Sequence, residues 1–448
     1  MKIPSIVSTN SIKLLSGLGN NEDSLTAMII KDWIGDGATV YTYKKEGGKD
    51  DAKEKAIEEF GTGAVWLFGI PLVKKLIDKT AYPLLKLNPN FDPRLLDNKE
   101  KLSQITNTLK EKSGDIFKPQ KELFETLNDK NPVIKKLTNA QMYKGMAIAK
   151  FAVATVASAI ALTKIIKYKQ KTTTERIAKD LENQKAKQQA PSLVMDSVKQ
   201  NKLYDSFTGQ NKTSQPSFTG GLAEFMYNPI KNTMILDGVI TTTRLKEARP
   251  GERKEVLFKE ACQIGFIYGL AKPLQKMFEF IGKKIKCPIE LDPKVLFSKD
   301  LKGKIDASSD AIKALKGSNN ILKTISEMDI KSPLIELLDK DDAIATIKDK
   351  AGNIKGLDFL KPIDEDKVKS TLKNLDSMKD NIGNLKGSKT FKAVAVVGNV
   401  LIAAGIMGII QPKLNILMRK ILNNGDNRNP AIAKEEALAM EKVNAHQG

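Results

Sequence analysis

The chain reads GTGAVWLFGIPLVKK at residues 61–75 and QIGFIYGLAKPLQK at residues 263–276, two mostly apolar stretches interrupted by glycine and proline. When the second is aligned with the first at an offset of 202 residues, several positions are identical. The identical pairs are Glu58 with Glu260, Gly63 with Gly265, Pro71 with Pro273, Leu72 with Leu274 and Lys74 with Lys276. An internal repeat of this length would determine the architecture of the whole chain.

The sequences that flank these two stretches are also related. Upstream, IGDGATVYTYKKE at 34–46 aligns with LDGVITTTRLKE at 236–247. Downstream, DPRLL at 92–96 aligns with DPKVL at 292–296, and a polar stretch and a very apolar segment then follow in each half. Four features in the same order predict an internal duplication. The alternative is that lysine-rich helices align with one another by chance.

The most apolar segment of each half is predicted to be a helix. Residues 146–166 are rich in alanine, valine and isoleucine, and residues 393–410 contain no charged side chain. A helix of 18 residues is roughly 27 Å long, close to the ~30 Å hydrocarbon core of a membrane. The sequence favours membrane insertion of these segments, with burial on all sides in a soluble bundle as the alternative.

We therefore predict a mainly α-helical, internally duplicated protein that is associated with a membrane. The first half is assigned to residues 1–169 and the second to residues 221–448. A flexible polar linker at 170–220 is predicted to join them. In the second half, apolar residues at three- and four-residue spacing predict an amphipathic helical insertion at about 297–389.

The composition restricts the partners of the chain. Lys and Arg total 73 against 53 Asp and Glu, a formal net charge of +20, and few of the cations are Arg. Proteins that read a nucleic-acid sequence depend on Arg for bidentate contacts, so we expect no sequence-specific nucleic-acid partner. A lysine-rich surface favours an anionic lipid membrane surface as partner. Solvated helix faces rich in lysine are the alternative.

Catalytic motifs are absent from the sequence. The single histidine, His446, lies in the C-terminal tail, and the two cysteines are Cys262 and Cys287. These counts exclude His-dependent nucleophilic catalysis and a four-cysteine zinc site. The sequence also lacks GxGxxG, GxxxxGK[ST] and calcium-loop motifs. We expect no enzymatic activity, no cofactor and no metal ion.

The duplicated glycine and proline residues predict interrupted helices. The four positions are Gly63, Gly265, Pro71 and Pro273. Proline removes a backbone donor and clashes with the preceding turn. Interrupted apolar segments occur in transporter sites, in re-entrant hairpins and in ordinary buried helices, and the sequence leaves all three open. The β-branched stretches at 40–45 and 239–245 indicate either short strands or continued helix.

Asp36 and Asp237 form the candidate polar pair, because each precedes a glycine beside an apolar stretch. The simplest interpretation is a turn or a helix cap. The alternative is an ion or proton site in which the duplication brings the two carboxylates together. Asp92 and Asp292 each precede a proline, which predicts two helix N-caps.

The first functional hypothesis is a non-enzymatic membrane-associated helical protein with a scaffold or membrane-shaping role. The second is a small-solute or ion pathway at the pseudo-twofold axis of the duplication. The third is a soluble helical structural or interaction protein. We expect a membrane location because of the two apolar helices, with a cytoplasmic location as the alternative. The N-terminal sequence has no secretory signal pattern.

Overall fold

The computed structural model describes residues 9–19, 25–188, 229–249, 251–422, 425 and 429–445. The described chain is mainly α-helical, so the predicted fold class is confirmed at this level. The predicted linker is helical as far as Gln188, because the helix that begins at Asn139 continues into it. The rest of the predicted linker up to residue 220, and His446, lie outside the described residues.

The helices and strands follow one another along the chain. The helices are α1 (Thr9–Gly19), α2 (Leu25–Glu46), α3 (Lys49–Ala64), α4 (Ile70–Leu84), α5 (Lys99–Glu111), α6 (Lys118–Thr126), α7 (Asn139–Gln188), α8 (Pro229–Glu247), α9 (Arg253–Lys284), α10 (Pro293–Leu296), α11 (Leu301–Ala307), α12 (Ser309–Lys316), α13 (Ile321–Glu327), α14 (Pro333–Lys340), α15 (Glu365–Asp380), α16 (Leu385–Gly405), α17 (Gln411–Leu422) and α18 (Pro430–Ala445). The strands are β1 (Thr346–Lys348) and β2 (Ile354–Leu357). Short 3-10 turns lie at Pro93–Leu96, Asp115–Phe117 and Ile382–Asn384, and π-helical turns at Val65–Gly69 and Ile406–Ile410.

Two segments that are distant in sequence fold together into what we call the head, residues 85–138 and 287–384. The Asp92 N–H donates to the Leu360 carbonyl at 2.9 Å, and the Phe359 N–H donates to Gln120 Oε1 at 3.2 Å. The apolar faces of α5, α6 and α11 to α15 form one hydrophobic core. Its fully buried members include Leu334, Ile335, Leu337, Leu338, Val368, Leu372 and Leu375.

The second segment of the head differs in one place from the predicted all-helical insertion. Strands β1 and β2 pair antiparallel, with Thr346 opposite Leu357. The turn between them is closed by Asp349, whose side chain accepts hydrogen bonds from the Asn353 and Ala351 N–H groups. Gly352 adopts φ 86, which a residue with a side chain rarely adopts, and this turn ends the helical pattern.

The remaining helices form what we call the body. Three of its helical runs, within the described residues, are long and apolar enough to cross a membrane. They are Lys49–Leu84, Asn139–Asp180 and Ile382–Leu422. Residues 146–166 and 393–410, the two predicted apolar helices, lie inside the second and third runs. The first run contains the stretch at 61–75, and in it α3, the π-helical turn and α4 join into one run of 36 residues.

The apolar side chains of these runs point largely outward. In their most apolar windows only 11%, 22% and 44% of the residues are buried. We call the exposed apolar side chains of the three runs the belt. Its members are Phe60, Phe68, Leu72, Leu76, Leu84, Ile148, Val153, Val156, Ile160, Val394, Val397, Leu401, Ile402, Ile409, Ile410, Leu414, Leu417, Ile421 and Leu422. The charged Lys150 does not interrupt the belt, because its Nζ is paired with Asp78 Oδ1 at 2.6 Å.

The structure decides between several alternatives that the sequence left open. The stretches at 40–45 and 239–245 lie in α2 and α8, so the strand alternative does not apply. Pro71 lies in the first turn of α4, directly after a π-helical turn, and helix α9 continues through Pro273. The helices are therefore not broken near Gly63 or Gly265. The residues on both sides of each proline are helical. Near Pro71 the α-helix is modified only by the π-helical turn, and not broken as predicted.

Other backbone features recur in the two halves of the chain. Gly48 precedes α3 at φ 99, and Gly251 lies two residues before α9 at φ 100. Lys86 and Lys286 both adopt φ 56 shortly after α4 and α9. As predicted, the Asp92 side chain caps the turn that follows by accepting from the Arg94 N–H. Asp292 likewise accepts from the Lys294 N–H.

Candidate functional site

A cavity of about 360 Å³ lies inside the body, between α2, α3, α8, α9 and α16. Both members of the candidate pair, Asp36 and Asp237, line it. Its other lining residues are Ile29, Lys31, Asp32, Trp33, Glu59, Thr62, Gly63, Trp66, Leu67, Met234, Ile240, Arg244, Glu260, Gln263, Ile264, Phe266, Tyr268, Lys272, Ala403 and Met407. Residues from both halves of the sequence therefore enclose one space.

Asp36 lies in the middle of α2 and is only 6% exposed. The expected turn or helix cap at this position is wrong, because the surrounding residues continue the helix. In the described part of the chain, no hydrogen bond or ion pair reaches the Asp36 carboxylate. Asp32 lies four residues earlier on the same helix face, and its carboxylate likewise has no hydrogen bond or ion pair among the described residues. The cavity thus contains two neighbouring carboxylates without direct partners.

Asp237 lies in the middle of α8, and a turn or cap is wrong here as well. The Tyr268 hydroxyl, from α9, donates a hydrogen bond to Asp237 Oδ2. A phenol that donates to a carboxylate stabilises the charged form of that carboxylate. Asp237 is therefore held in place by the wall of the cavity, whereas Asp36 is not.

Burial changes the proton affinity of these carboxylates, which lie outside the three candidate spans. Burial, with Asp32 and Glu59 nearby, raises the pKa of Asp36 to about 9. Burial and the charges of Glu59 and Asp237 raise the pKa of Asp32 to about 7. For Asp237, burial raises the pKa to about 6, and the Tyr268 hydrogen bond opposes this change. The cavity can therefore hold and release protons near neutral pH.

Gly63 lies directly beside Asp36. A methyl group added to Gly63 would lie 3.8 Å from Asp36 Oδ2 and 3.6 Å from Trp33 Nε1. Among the other predicted positions, Gly265 lies between two lining residues, Ile264 and Phe266. Pro71 and Pro273 are not among the lining residues. The structure thus brings together one of the four predicted helix-breaking residues with both aspartates.

Next to the cavity, at the end of the body away from the head, lies a group of buried paired charges that we call the charge cluster. Its members are Asp51, Glu54, Lys55, Glu58, Glu59, Lys169, Arg244, Glu252, Glu255, Lys259, Glu260 and Arg419. Arg419 Nη1 contacts Asp51 Oδ2 at 2.6 Å, and its Nε donates to Glu255 Oε2 at 2.9 Å. One arginine of α17 therefore joins α3 to α9.

Arg244 makes the equivalent connection from α8. Its guanidinium forms ion pairs with Glu260 and with Glu59, and it donates to Thr62 Oγ1 at 2.9 Å. Because Arg244, Glu59 and Glu260 also line the cavity, the charge cluster forms one wall of it. The Arg244 cation is engaged by these carboxylates and not by Asp36.

Sequence reasoning missed the charge cluster. In the sequence its carboxylates look like those of solvated helix faces, because their partners are far away along the chain. Lys259 Nζ, for example, donates to Glu58 Oε1 at 3.2 Å although 201 residues separate the two. One signal was present: arginine is scarce in this lysine-rich chain, and guanidinium groups are favoured in buried ion pairs. Arg244 and Arg419 were therefore candidates for buried pairing from composition alone.

The chemistry available to the cavity is binding and proton exchange. Within the described residues, no group of three or more His, Cys, Asp or Glu side chains is placed to hold a metal ion. Aromatic and aliphatic side chains also line the cavity.

Comparisons with known proteins add no family or fold assignment. No family model, no curated protein and no solved structure matches the chain.

Proposed function

We propose that this chain is a non-enzymatic, membrane-embedded helical protein that binds a small solute in the cavity of its body and provides a pathway for it. The observation that carries the proposal is Asp36, a buried carboxylate without a partner among the described residues, which lines a cavity together with Asp237. Leaving a buried charge unpaired is costly, so such groups are retained where a ligand or a proton completes them.

The belt supports the membrane location. A soluble protein rarely exposes a contiguous apolar patch of more than a few hundred Å², whereas the belt extends along three long helices. Exposed lysines lie where the body meets the head, at the ends of α4, α9 and α16. They are Lys75, Lys79, Lys86, Lys283, Lys284, Lys286 and Lys386. These side chains suit the anionic headgroups of a lipid surface.

We also propose that the two halves arose by duplication and that the cavity lies near the pseudo-twofold axis between them. The matching backbone conformations at Gly48 and Gly251, and at Lys86 and Lys286, support a common origin. Asp36 and Asp237, aligned in the sequence, both contribute to the same cavity. A duplicated pair of helices around a central site is a common plan in transport proteins.

The test is solute flux in reconstituted vesicles. The chain is purified in detergent, placed in vesicles of anionic and zwitterionic lipid, and compared with Asp36→Asn and Asp237→Asn variants. We expect flux of small cations that the Asp36→Asn variant reduces at least tenfold. A matched control is Asp310→Asn, because Asp310 is fully exposed on the head. Equal flux in all four proteins would discard the pathway.

A second candidate function is a scaffold that holds the head at a membrane surface. The favouring observation is the head itself, whose hydrophobic core is separate from the belt and is built from both halves of the chain. Both candidate functions require attachment to a membrane, and carbonate extraction of membranes tests it. A protein released wholly into the supernatant would exclude integral insertion, and a peripheral scaffold and the soluble interaction protein would remain.

A further inference from the structure

We infer that the cavity binds an organic ammonium ion with apolar substituents, which displaces the proton held by Asp36 and pairs with the resulting carboxylate, with the aromatic walls around its apolar part. This inference rests on the proposed function, since it names the class of solute that the pathway takes. It follows from the size of the cavity, from the spacing of its carboxylates, from its aromatic lining and from the position of its unpaired polar atoms.

The cavity is suited to an organic molecule rather than to a bare metal ion. Its volume of about 360 Å³ lies in the range of small-molecule sites, which begins at roughly 300 Å³. A calcium or magnesium ion needs about six oxygen ligands within about 2.6 Å of one point. No group of three or more acidic, cysteine or histidine side chains among the described residues meets that requirement.

The walls of the cavity are those that recognise organic cations. Trp33, Trp66, Phe266 and Tyr268 line it, together with aliphatic residues and methionines. An ammonium group within about 6 Å of an aromatic ring centre is attracted by the negative face of that ring. Both tryptophans of the chain are in this lining, although aromatic residues make up only 6% of the sequence.

The polar atoms of the cavity favour a positive charge. Asp32 and Asp36 have no direct partner, and Gln263 Oε1 is buried without a hydrogen-bond donor in the described structure. The Gln263 oxygen and the two carboxylates accept hydrogen bonds, so a ligand that donates them or carries a positive charge completes them. Arg244 Nε is a buried donor of the lining without a hydrogen bond among the described residues, but it lies 3.8 Å from Glu58 Oε1. Three cations line this space: Arg244 is paired with Glu59 and Glu260, and Lys31 and Lys272 also interact with other groups.

The experiment uses the intrinsic fluorescence of the full chain in lipid vesicles, because Trp33 and Trp66 report on the cavity and no other tryptophan contributes. The probes are choline chloride, its neutral carbon isostere 3,3-dimethylbutan-1-ol, and potassium chloride at equal ionic strength. We expect a saturable change with choline, and at least about tenfold weaker effects of the other two.

Variants assign the response to the cavity. Asp36→Asn should weaken the apparent Kd for choline by about tenfold or more, because it removes a charge-assisted contact. Asp310→Asn on the head should leave it unchanged. If Asp36→Asn does not give a folded protein by circular dichroism, Asp237→Asn serves in its place, with the same expected direction.

The outcomes separate this inference from the proposed function. Equal binding of choline and its neutral isostere, or binding of potassium alone, would overturn the inference. The proposed pathway would still stand if potassium flux depended on Asp36. The absence of any cation response, together with flux that is insensitive to Asp36, would overturn both. Choline-specific binding that depends on Asp36 supports the inference directly.

Discussion

The core of the head consists of aliphatic and aromatic side chains, whereas the deepest part of the body, the charge cluster, consists of paired carboxylates, lysines and arginines. The surfaces of the head and the body show the reverse: the head is polar outside and the body is apolar outside. The helices of the head expose mainly polar residues, and the three long runs of the body expose the belt. Leu337 in the head is fully buried, while Leu401 in the body is 56% exposed.

Under the proposed membrane location, the two regions are stabilised against different surroundings. In water, burial of apolar surface is the main favourable term, and the core of the head supplies it. Between helices in lipid that term is absent, so close packing and polar contacts must hold the helices together. The charge cluster and the small residues of α2 and α16 provide such contacts in the body.

Arg419→Met should have the largest effect on the comparison, since it breaks the link between the helices of the body. It leaves the buried carboxylates Asp51 and Glu255 without their partner. Removal of one member of a buried ion pair costs about 3–5 kcal/mol. Unfolding of the purified protein in detergent, followed by circular dichroism in a denaturant series, measures the change.

The control for that variant is Lys101→Met in the head. Lys101 forms an ion pair with Glu365 at 3.0 Å, but both side chains are substantially exposed. Exposed pairs contribute at most about 1 kcal/mol. A loss for Lys101→Met as large as that for Arg419→Met would contradict the distinction between the two regions.

Leu337→Ala should destabilise the head by about 2–5 kcal/mol, because it leaves a void in a fully packed core. Leu401→Ala, at an exposed position of the belt, should cost below about 1 kcal/mol in lipid, since lipid tails are as apolar as leucine. Limited proteolysis across a denaturant series measures the two regions separately. Similar losses at both positions would mean that Leu401 faces a protein core.

Gly408→Ala tests the close packing of the body. A methyl group there would lie 2.5 Å from the Ala38 Cβ and 2.6 Å from the Gly35 carbonyl oxygen, so α2 would have to move. Overpacking of this kind costs about 1–3 kcal/mol. The matched control is Gly405→Ala, at a position with no atom of another residue close to the added methyl group. The thermal unfolding temperature of each variant decides the comparison, and equal values would contradict it.

Asp36→Asn should have the smallest effect at acidic pH, where both side chains are neutral, and an increasing effect as the pH rises. The pKa of Asp36 is raised from 3.8 to about 9 in the folded protein, so the folded state binds a proton that the unfolded state releases. This contribution to stability is complete below pH 4 and is lost as the pH rises to about 9. Asparagine cannot lose a proton, so the variant should gain stability relative to the natural protein between pH 6 and 9.

Thermal unfolding at pH 6, 7, 8 and 9 measures this difference. The charged groups that act on Asp36 are Asp32, Glu59, Lys259 and Arg244, and their own titration is shared by both proteins. A difference between the variant and the natural protein that does not change with pH would show that Asp36 is charged throughout this range.

Local patterns were sufficient to predict the helices, the N-caps at Asp92 and Asp292, and the two apolar helices. The same alignment identified Asp36 and Asp237, although it assigned them to turns. A short polar residue before glycine is typical of a turn, and only the packing of α2 and α8 against neighbouring helices overrides that tendency. The other polar residues of the cavity, such as Asp32 and Tyr268, carry no comparable signal.

The composite head could not be predicted, because its contacts join residues that no periodic pattern relates. The pairing of Phe359 with Gln120 is an example. The charge cluster escaped prediction for the same reason. Its lysines and glutamates are individually ordinary, and only the folded structure identifies which of them are buried together.

The composite head has a consequence for the synthesis of this protein on the ribosome. Gln120 and its partner Phe359 are separated by 239 residues, which at ~5–20 residues per second corresponds to roughly 12–48 s of elongation. During this interval the apolar surface of α5 and α6 that packs on the second segment of the head has been made but is not yet covered. A nascent chain arrested before residue 359 should therefore bind chaperones through these two helices, and completion of the chain should release them.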